Sequence, residues 1–178
     1  LREHLQGEAA AVRVDEALGA VRVRSNVERK RLFGKQQQTA TCQLSAGIYD
    51  QGASAATYQR LHQLAATILR AGFPVVLDAT YLKREQRQAA AVVASQTGVP
   101  LLILDCQAPD AVIASWLQQR QADASDPSDA TLEVIKAQQA SREPLDAQEA
   151  GHSMPVDTQV GSSMDQVIEQ IRQRLPGL

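Results

Sequence analysis

Val75, Val76 and Leu77 run directly into Asp78, Ala79 and Thr80, and Arg84 and Arg87 follow a few residues later. An unbroken apolar run that ends in an acid reads as a buried strand with a carboxylate at its carboxyl end. In α/β sheets that edge faces the crevice where ligands bind. A carboxylate placed there holds Mg²⁺, directly or through water, or takes a proton from a substrate hydroxyl. Arginines one helical turn further on suit phosphate. This is the chemistry of phosphoryl transfer. Yet the chain nowhere contains G-x-x-x-x-G-K-[ST], the loop such chemistry normally uses to hold ATP.

Each of these residues also has a plainer reading. Asp78 can cap the turn that follows it by accepting backbone N–H groups. Thr80 and Arg84 can hold a phosphate or an acidic substrate, or belong to a solvated helix face beside Glu85; for Arg87 the solvated face is the expectation. Arg22, Arg24, Arg29, Lys30 and Arg31 form the basic cluster of the chain. Arg24 falls at a strand end and Arg29 one turn into the next helix, so both can point at the crevice of Asp78, whereas Lys30 and Arg31 are expected in solvent. Arg120 ends a helix just before the acidic turn 123–129. It can close onto ATP and stabilise charge on the transferring phosphoryl group, or simply complement the helix C-terminus. Trp116, one turn earlier, reads as a packing residue.

Two patterns mislead. Residues 47–54 read G-x-x-x-x-G-A-S, with Ala53 where lysine belongs and no buried strand ahead of them. His4, His62 and His152 have neither the spacing of a zinc site nor that of a catalytic triad.

The elements that must position these residues alternate. Helix is expected over 8–18, stopped by Gly19, then a short strand over 20–24. Ser25 or Asn26 would cap the next helix, and 35–45 is a glutamine-rich loop. A long helix over 53–71 places Tyr58, Leu61, Leu64, Ala65, Ile68 and Leu69 on one face. Strand 74–78, helix 83–97 closed by Gly98, and strand 100–106 follow. Helices over 109–121 and 129–140, a strand over 155–160 and a helix over 164–175 complete the pattern. Strands alternating with helices predict a parallel sheet covered on both faces by right-handed crossovers. The stretch 107–150 looks like a helical lid inserted over the crevice, and 1–178 reads as a single domain.

The composition sets limits. A chain of 178 residues with 44% apolar residues has enough material for a core. A net charge of −2, a pI near 5.9 and 3% aromatics leave no electrostatic or stacking footprint for nucleic acid. No apolar run reaches membrane-helix length and no signal peptide is visible, so a cytoplasmic location is expected. Cys42 and Cys106 make no disulfide framework or metal set; Cys106 ends an apolar run and reads as a reduced core residue.

Several segments together resemble the small P-loop kinases found in bacteria alone or fused behind an aminoglycoside-phosphotransferase-like domain. Gluconate kinases, chloramphenicol phosphotransferases and zeta toxins are more distant relatives. The resemblance rests on Gly19-Ala20-Val21-Arg22-Val23-Arg24-Ser25 with Val27-Glu28-Arg29-Lys30-Arg31-Leu32, on Gly47-Ile48-Tyr49 and Thr57-Tyr58, and on Val76-Leu77-Asp78-Ala79-Thr80-Tyr81-Leu82 with Arg84 and Arg87. Ser128-Asp129-Ala130-Thr131, Gln138, Glu143-Pro144-Leu145 and Glu149 complete it. It runs from about Leu18 to the C-terminus. It implies a three-layer α/β/α parallel sheet with a helical lid, ATP with Mg²⁺ as phosphoryl donor, and a small hydroxyl-bearing acceptor. By position, Asp78 would be the acid, with a metal role, beside the phosphate loop. Arg24, Asn26, Arg29, Thr80 and Arg84 would line the acceptor side, and Arg120 would be the catalytic lid arginine that also meets ATP.

The departures from the family pattern are specific. Where the first strand and the lysine-bearing loop belong, the chain has Gln6-Gly7-Glu8-Ala9-Ala10-Ala11, and Glu8 would repel phosphate. The loss of that cradle removes much of the positioning and electrostatics of P-loop catalysis. Asn26 stands where the family has an aspartate, and an amide takes no proton at neutral pH. The strand ahead of the phosphate loop is central in such sheets, and residues 1–7 are too few and too polar to replace it. The chain also starts at Leu1 rather than methionine. Either upstream sequence is missing or the fold is rearranged. The expected function is therefore an ATP-dependent small-molecule kinase domain, with a pseudokinase or binding module as the alternative.

Overall fold

A computed structural model of the chain describes residues 13–33, 51–107, 140–157 and 164–176. Most of the predicted lid, including the helix over 109–121 and nearly all of that over 129–140, lies outside these residues, as do Cys42 and the loop 35–45. A helical segment, α1 (13–18), leads into β1 (Val21–Arg24), α2 (Ser25–Leu32), α3 (Gln51–Arg70), β2 (Val75–Asp78) and α4 (Arg84–Thr97). Then come β3 (Ile103–Gln107), α5 (Ala147–Gly151), β4 (Ser153–Asp157) and α6 (Met164–Arg174). The predicted alternation is present. Among the described residues no helix is long and apolar enough to cross a membrane.

Local chemistry explains the boundaries. Gly98 adopts φ +70 and closes α4 by donating to the carbonyls of Ala94 and Ser95, a left-handed stop that costs glycine nothing. The cap expected at Ser25 or Asn26 is not formed. β1 passes straight into α2, so Ser25 is already helical, and Arg24 occupies the cap position without a side-chain hydrogen bond. β4 starts two residues earlier than expected and holds Pro155 in its interior. Among the described residues β4 pairs only with β3, and an edge position tolerates a residue that cannot donate to a second ladder.

The strands pair in parallel, as predicted, but as two pairs. β1 runs beside β2, with Val21 opposite Val75 and Arg24 opposite Asp78. β3 runs beside β4, with Leu104 opposite Met154 and Cys106 opposite Val156. Two apolar clusters lie on opposite faces of β2. Val75 and Leu77 pack with Val23 against Tyr58, Leu61, Leu64 and Ile68 of α3, where Leu61 is fully buried. Val76 instead joins a cluster built by Val14 of α1, Leu104 and Cys106 of β3, Met154 and Val156 of β4, and Ile168 and Ile171 of α6. The half-sheets thus share one apolar layer, as the alternation of side chains along a strand requires.

Candidate functional site

The parallel register of β1 and β2 builds the first part of the site. Arg24 is opposite Asp78, and Arg22, two residues back, lies on the same face of its strand. Arg22 donates from Nε (3.1 Å) and Nη2 (2.5 Å) to one carboxylate oxygen, Oδ2 of Asp78. The Nε of Arg24 is 3.8 Å from that oxygen. The side chains of Asp78 and Arg22 are 7% and 11% exposed, so two guanidinium groups converge on a carboxylate removed from water. The alternation of arginine and valine in β1 puts Arg22 and Arg24 on one face; only the parallel register gives them Asp78 as a target.

The loop after β2 is held from two sides. Tyr81 has φ +46, a left-handed backbone that costs a bulky residue energy. Its N–H donates to the hydroxyl of Tyr58 (3.1 Å), and that hydroxyl also bonds Oγ1 of Thr80 (3.1 Å). The rings of Tyr58 and Tyr81 meet edge to face at 5.1 Å, and the Tyr81 hydroxyl lies 3.3 Å from Nε2 of His62. Burial, reinforced by Tyr58, pushes the Tyr81 phenol far above its ordinary value, and burial lowers the His62 imidazole. Both therefore stay neutral at physiological pH.

From the other side comes Arg87, and here the expectation of a solvated face is overturned. Arg87 is 5% exposed. Its Nη1 donates to the carbonyls of Tyr81 (3.0 Å) and Leu82 (3.2 Å). Its Nη2 donates to the carbonyl of Pro144 (3.2 Å) and to Oε2 of Glu149 (3.0 Å), and its Nε to Oε1 of Glu149 (2.7 Å). The hydrogen bonds from Arg87 hold the Glu149 carboxyl below its ordinary range. Asp146 closes the same junction by capping α5, accepting from the N–H of Glu149 (2.9 Å).

Arg84 belongs to this junction too. Its backbone N–H donates to Oε2 of Glu143 (2.7 Å), the bond that chiefly lowers the Glu143 carboxyl, and its Nε is 3.6 Å from Asp146. Lys83 also reaches Glu143, at 3.3 Å. Arg84 is thus drawn toward residues 143–149, and no described contact links it to Asp78. The motif residues Glu143, Pro144 and Glu149 fasten the C-terminal end of the predicted lid to the loop carrying Thr80.

The remaining predicted residues are placed as follows. Thr80 is exposed near the start of the loop that follows β2. Asn26 sits in the first turn of α2, its Oδ1 buried without a hydrogen-bond partner among the described residues. Arg29 is half-buried on the same helix, as is Lys30, which sequence placed in solvent. Arg31 is largely exposed but pairs with Glu28, a 3% exposed acid that Arg60 of α3 also approaches at 3.5 Å. Arg120 and Trp116 lie outside the described residues. Arg87, Arg22, Tyr58, Tyr81, His62 and Glu28 gain roles that sequence reasoning did not give them, because each depends on a partner on another element or on burial.

The site can be tested for the nucleotide and metal that its chemistry suggests. Mg²⁺ on a nucleotide needs one or two carboxylates and takes its other ligands from phosphate and water. Asp78 has the right chemistry, but its Oδ2 is engaged by Arg22. Among the described residues no group of three His, Cys, Asp or Glu is placed to hold a metal. The sequence offers no lysine-bearing glycine loop for a triphosphate. Toward a metal the described residues thus offer the Asp78 carboxylate, already engaged by Arg22.

Comparison with solved structures identifies the fold. The chain is similar to a sugar kinase from Janibacter sp. HTCC2649 (TM-score 0.61, 15% identity, 94% of this chain and 87% of that one). It is similar to a gluconokinase from Sinorhizobium meliloti 1021 (TM-score 0.59, 15% identity, 92% and 81%). A protein from Chloroflexus aurantiacus J-10-fl aligns with a TM-score of 0.67 at 15% identity, over 94% and 91%. The fold is therefore the α/β fold of P-loop kinases. No curated protein matches the chain. A family model described as AAA domain matches residues 9–145, a span containing Asp78, the Tyr81 loop and Arg87, and the chain belongs to that family of P-loop proteins.

Proposed function

We propose that this chain is a small-molecule phosphotransferase domain of the P-loop kinase type, folded as one unit, whose described residues form the acceptor side. The observation that carries the reading is the carboxylate of Asp78 at the carboxyl end of β2, between Arg22 and Arg24, in a kinase fold. In this reading Arg22 fixes the carboxylate, and Arg24, Arg29 and Thr80 offer cationic and hydroxyl contacts to an oxygen-rich acceptor. Asn26 orients an acceptor hydroxyl through its amide. The solved relatives named for sugar and gluconate phosphorylation support a polyhydroxylated acceptor. ATP with Mg²⁺ would supply the phosphoryl group, with Asp78 on the metal side and Arg120 meeting the nucleotide.

A second reading has its own support. Asn26 cannot act as a base, and Asp78 is already ion-paired. These favour a module that binds the acceptor without turnover. One pair of measurements separates the two: calorimetric titration of Mg-ATP into the folded chain, and phosphoryl transfer from ATP to a panel of sugars and sugar acids. ATP binding with transfer to any panel member supports the kinase. Acceptor binding without ATP binding supports the module. Binding of neither overturns both.

A further inference from the structure

We propose that Tyr58 is a positioning residue that fixes the Thr80 hydroxyl as a hydrogen-bond donor toward the phosphoryl acceptor. The inference rests on the acceptor reading for its ligand and adds the polarity of one contact. The phenol oxygen of Tyr58 sits between two groups, the N–H of Tyr81 (3.1 Å) and Oγ1 of Thr80 (3.1 Å). A backbone N–H can only donate, so the phenol oxygen accepts from Tyr81. The phenol proton then has one described partner left, Oγ1 of Thr80. Were Thr80 the donor instead, the phenol oxygen would accept twice and its proton would have no partner among the described residues. Tyr58 is 6% exposed, so that proton would be stranded away from water, and an unpaired buried donor is costly. The hydrogen bond therefore runs from Tyr58 to Thr80. The Thr80 proton remains available on an exposed side chain, two residues beyond the Asp78 carboxylate.

The loop backbone holds this arrangement in place. Among the described residues Tyr81 is the one non-glycine with a positive φ, +46. Such strain persists only where the surroundings over-determine it, and it gathers at ligand sites. Here Tyr58 accepts from the Tyr81 N–H, while Arg87 donates to the carbonyls of Tyr81 (3.0 Å) and Leu82 (3.2 Å). The Tyr81 ring is pinned as well, edge to face with Tyr58 at 5.1 Å, and its hydroxyl lies 3.3 Å from Nε2 of His62. The peptide that follows Thr80 is thus held from both sides, and the Tyr58–Thr80 hydrogen bond is held with it. A hydroxyl whose oxygen already accepts, and whose proton faces outward, recognises a lone pair. The ligand atom facing Thr80 is therefore an oxygen that accepts a hydrogen bond, from a carboxylate, carbonyl, ether or hydroxyl group.

The test first reads hydroxyl protons in the ligand-free 178-residue chain. In an equal mixture of light and heavy water, isotope-shift NMR splits the Cζ signal of a tyrosine, or the Cβ signal of a threonine, when its hydroxyl exchanges slowly. Tyr58 should show two Cζ signals and Thr80 a single averaged Cβ signal. Any other pattern overturns the inference without a ligand. Calorimetric titration of D-gluconate and of D-glucose follows. For whichever binds, Thr80→Val should weaken binding about fivefold and Tyr58→Phe about threefold. The double variant should bind no more weakly than Thr80→Val alone, because Tyr58 acts through Thr80. A residue that merely supported the fold would add its own loss, so additive losses overturn the inference. If the unaltered chain binds neither compound, the acceptor reading falls and the inference with it. Binding that ignores Thr80→Val sinks the inference alone.

Discussion

Replacing Arg87 by methionine tests whether the buried guanidinium holds the junction between the Asp78 loop and residues 143–149. The substitution keeps an unbranched side chain of similar reach but removes every N–H it donates. It leaves Glu149, whose side chain is 11% exposed, without its cation, and the carbonyls of Tyr81, Leu82 and Pro144 without a donor. Removing one partner of a buried pair costs about 3–5 kcal/mol, because the other charge stays desolvated. The expected loss in urea unfolding is therefore about 3 kcal/mol or more, a midpoint shift on the order of 1–2 M for a slope of about 2 kcal/mol/M. Arg87→Met with Glu149→Met should cost less than the two single changes added together, by about 2 kcal/mol, because the double variant strands no charge. The pair also has a pH signature. The Glu149 carboxyl lies below its ordinary value in the folded protein. The stability it contributes is full above the unfolded carboxyl value, about 4.3, and is lost as pH falls through the lower folded value. The penalty of Arg87→Met should shrink in that acid window. A loss below about 1 kcal/mol at neutral pH, or strict additivity of the two changes, refutes the reasoning, because neither fits a buried, coupled pair.

Four further outcomes follow from the geometry. Asp78→Asn leaves Arg22, 11% exposed, without its carboxylate and should lower stability by about 2–4 kcal/mol in a thermal or urea melt; an unchanged melt would mean that the pair contributes nothing to the fold. Tyr58→Phe removes the acceptor for the Tyr81 N–H and the partner of Thr80, and should cost about 1–2 kcal/mol and speed exchange of the Tyr81 amide. Leu61→Ala, at a fully buried position, should cost about 2–5 kcal/mol in urea unfolding. Gly98→Ala meets no steric neighbour, so any loss comes from forcing alanine to φ +70; about 1 kcal/mol is expected, and no loss would show that the α4 stop relaxes.

Much of the fold was legible because its signals are local. Unbroken apolar runs announced β2 and β3, the 3.6-residue spacing of Tyr58, Leu61, Leu64, Ala65 and Ile68 announced α3, and Gly98 announced the end of α4. β4 was misplaced by two residues because proline reads as a strand start, and only the pairing with β3 shows it inside an edge strand. Asp78 was legible as a strand-end acid. Its partner was not, because Arg22 and Asp78 are 56 residues apart and meet only through the β1–β2 register.

The sequence by itself determined most of the described helices and strands, their parallel alternation and the acid at the end of β2. These depend on residue type and on spacing within a few positions. Tertiary structure decided the rest. It turned Arg87 from an expected surface charge into a buried clamp, drew Arg84 toward Glu143 and Asp146, and set the Tyr58 ring edge to face against the strained Tyr81. It also divided the strands into two pairs under one apolar layer. Burial and long-range charge pairing are properties of neighbours, and a chain acquires its neighbours only when it folds.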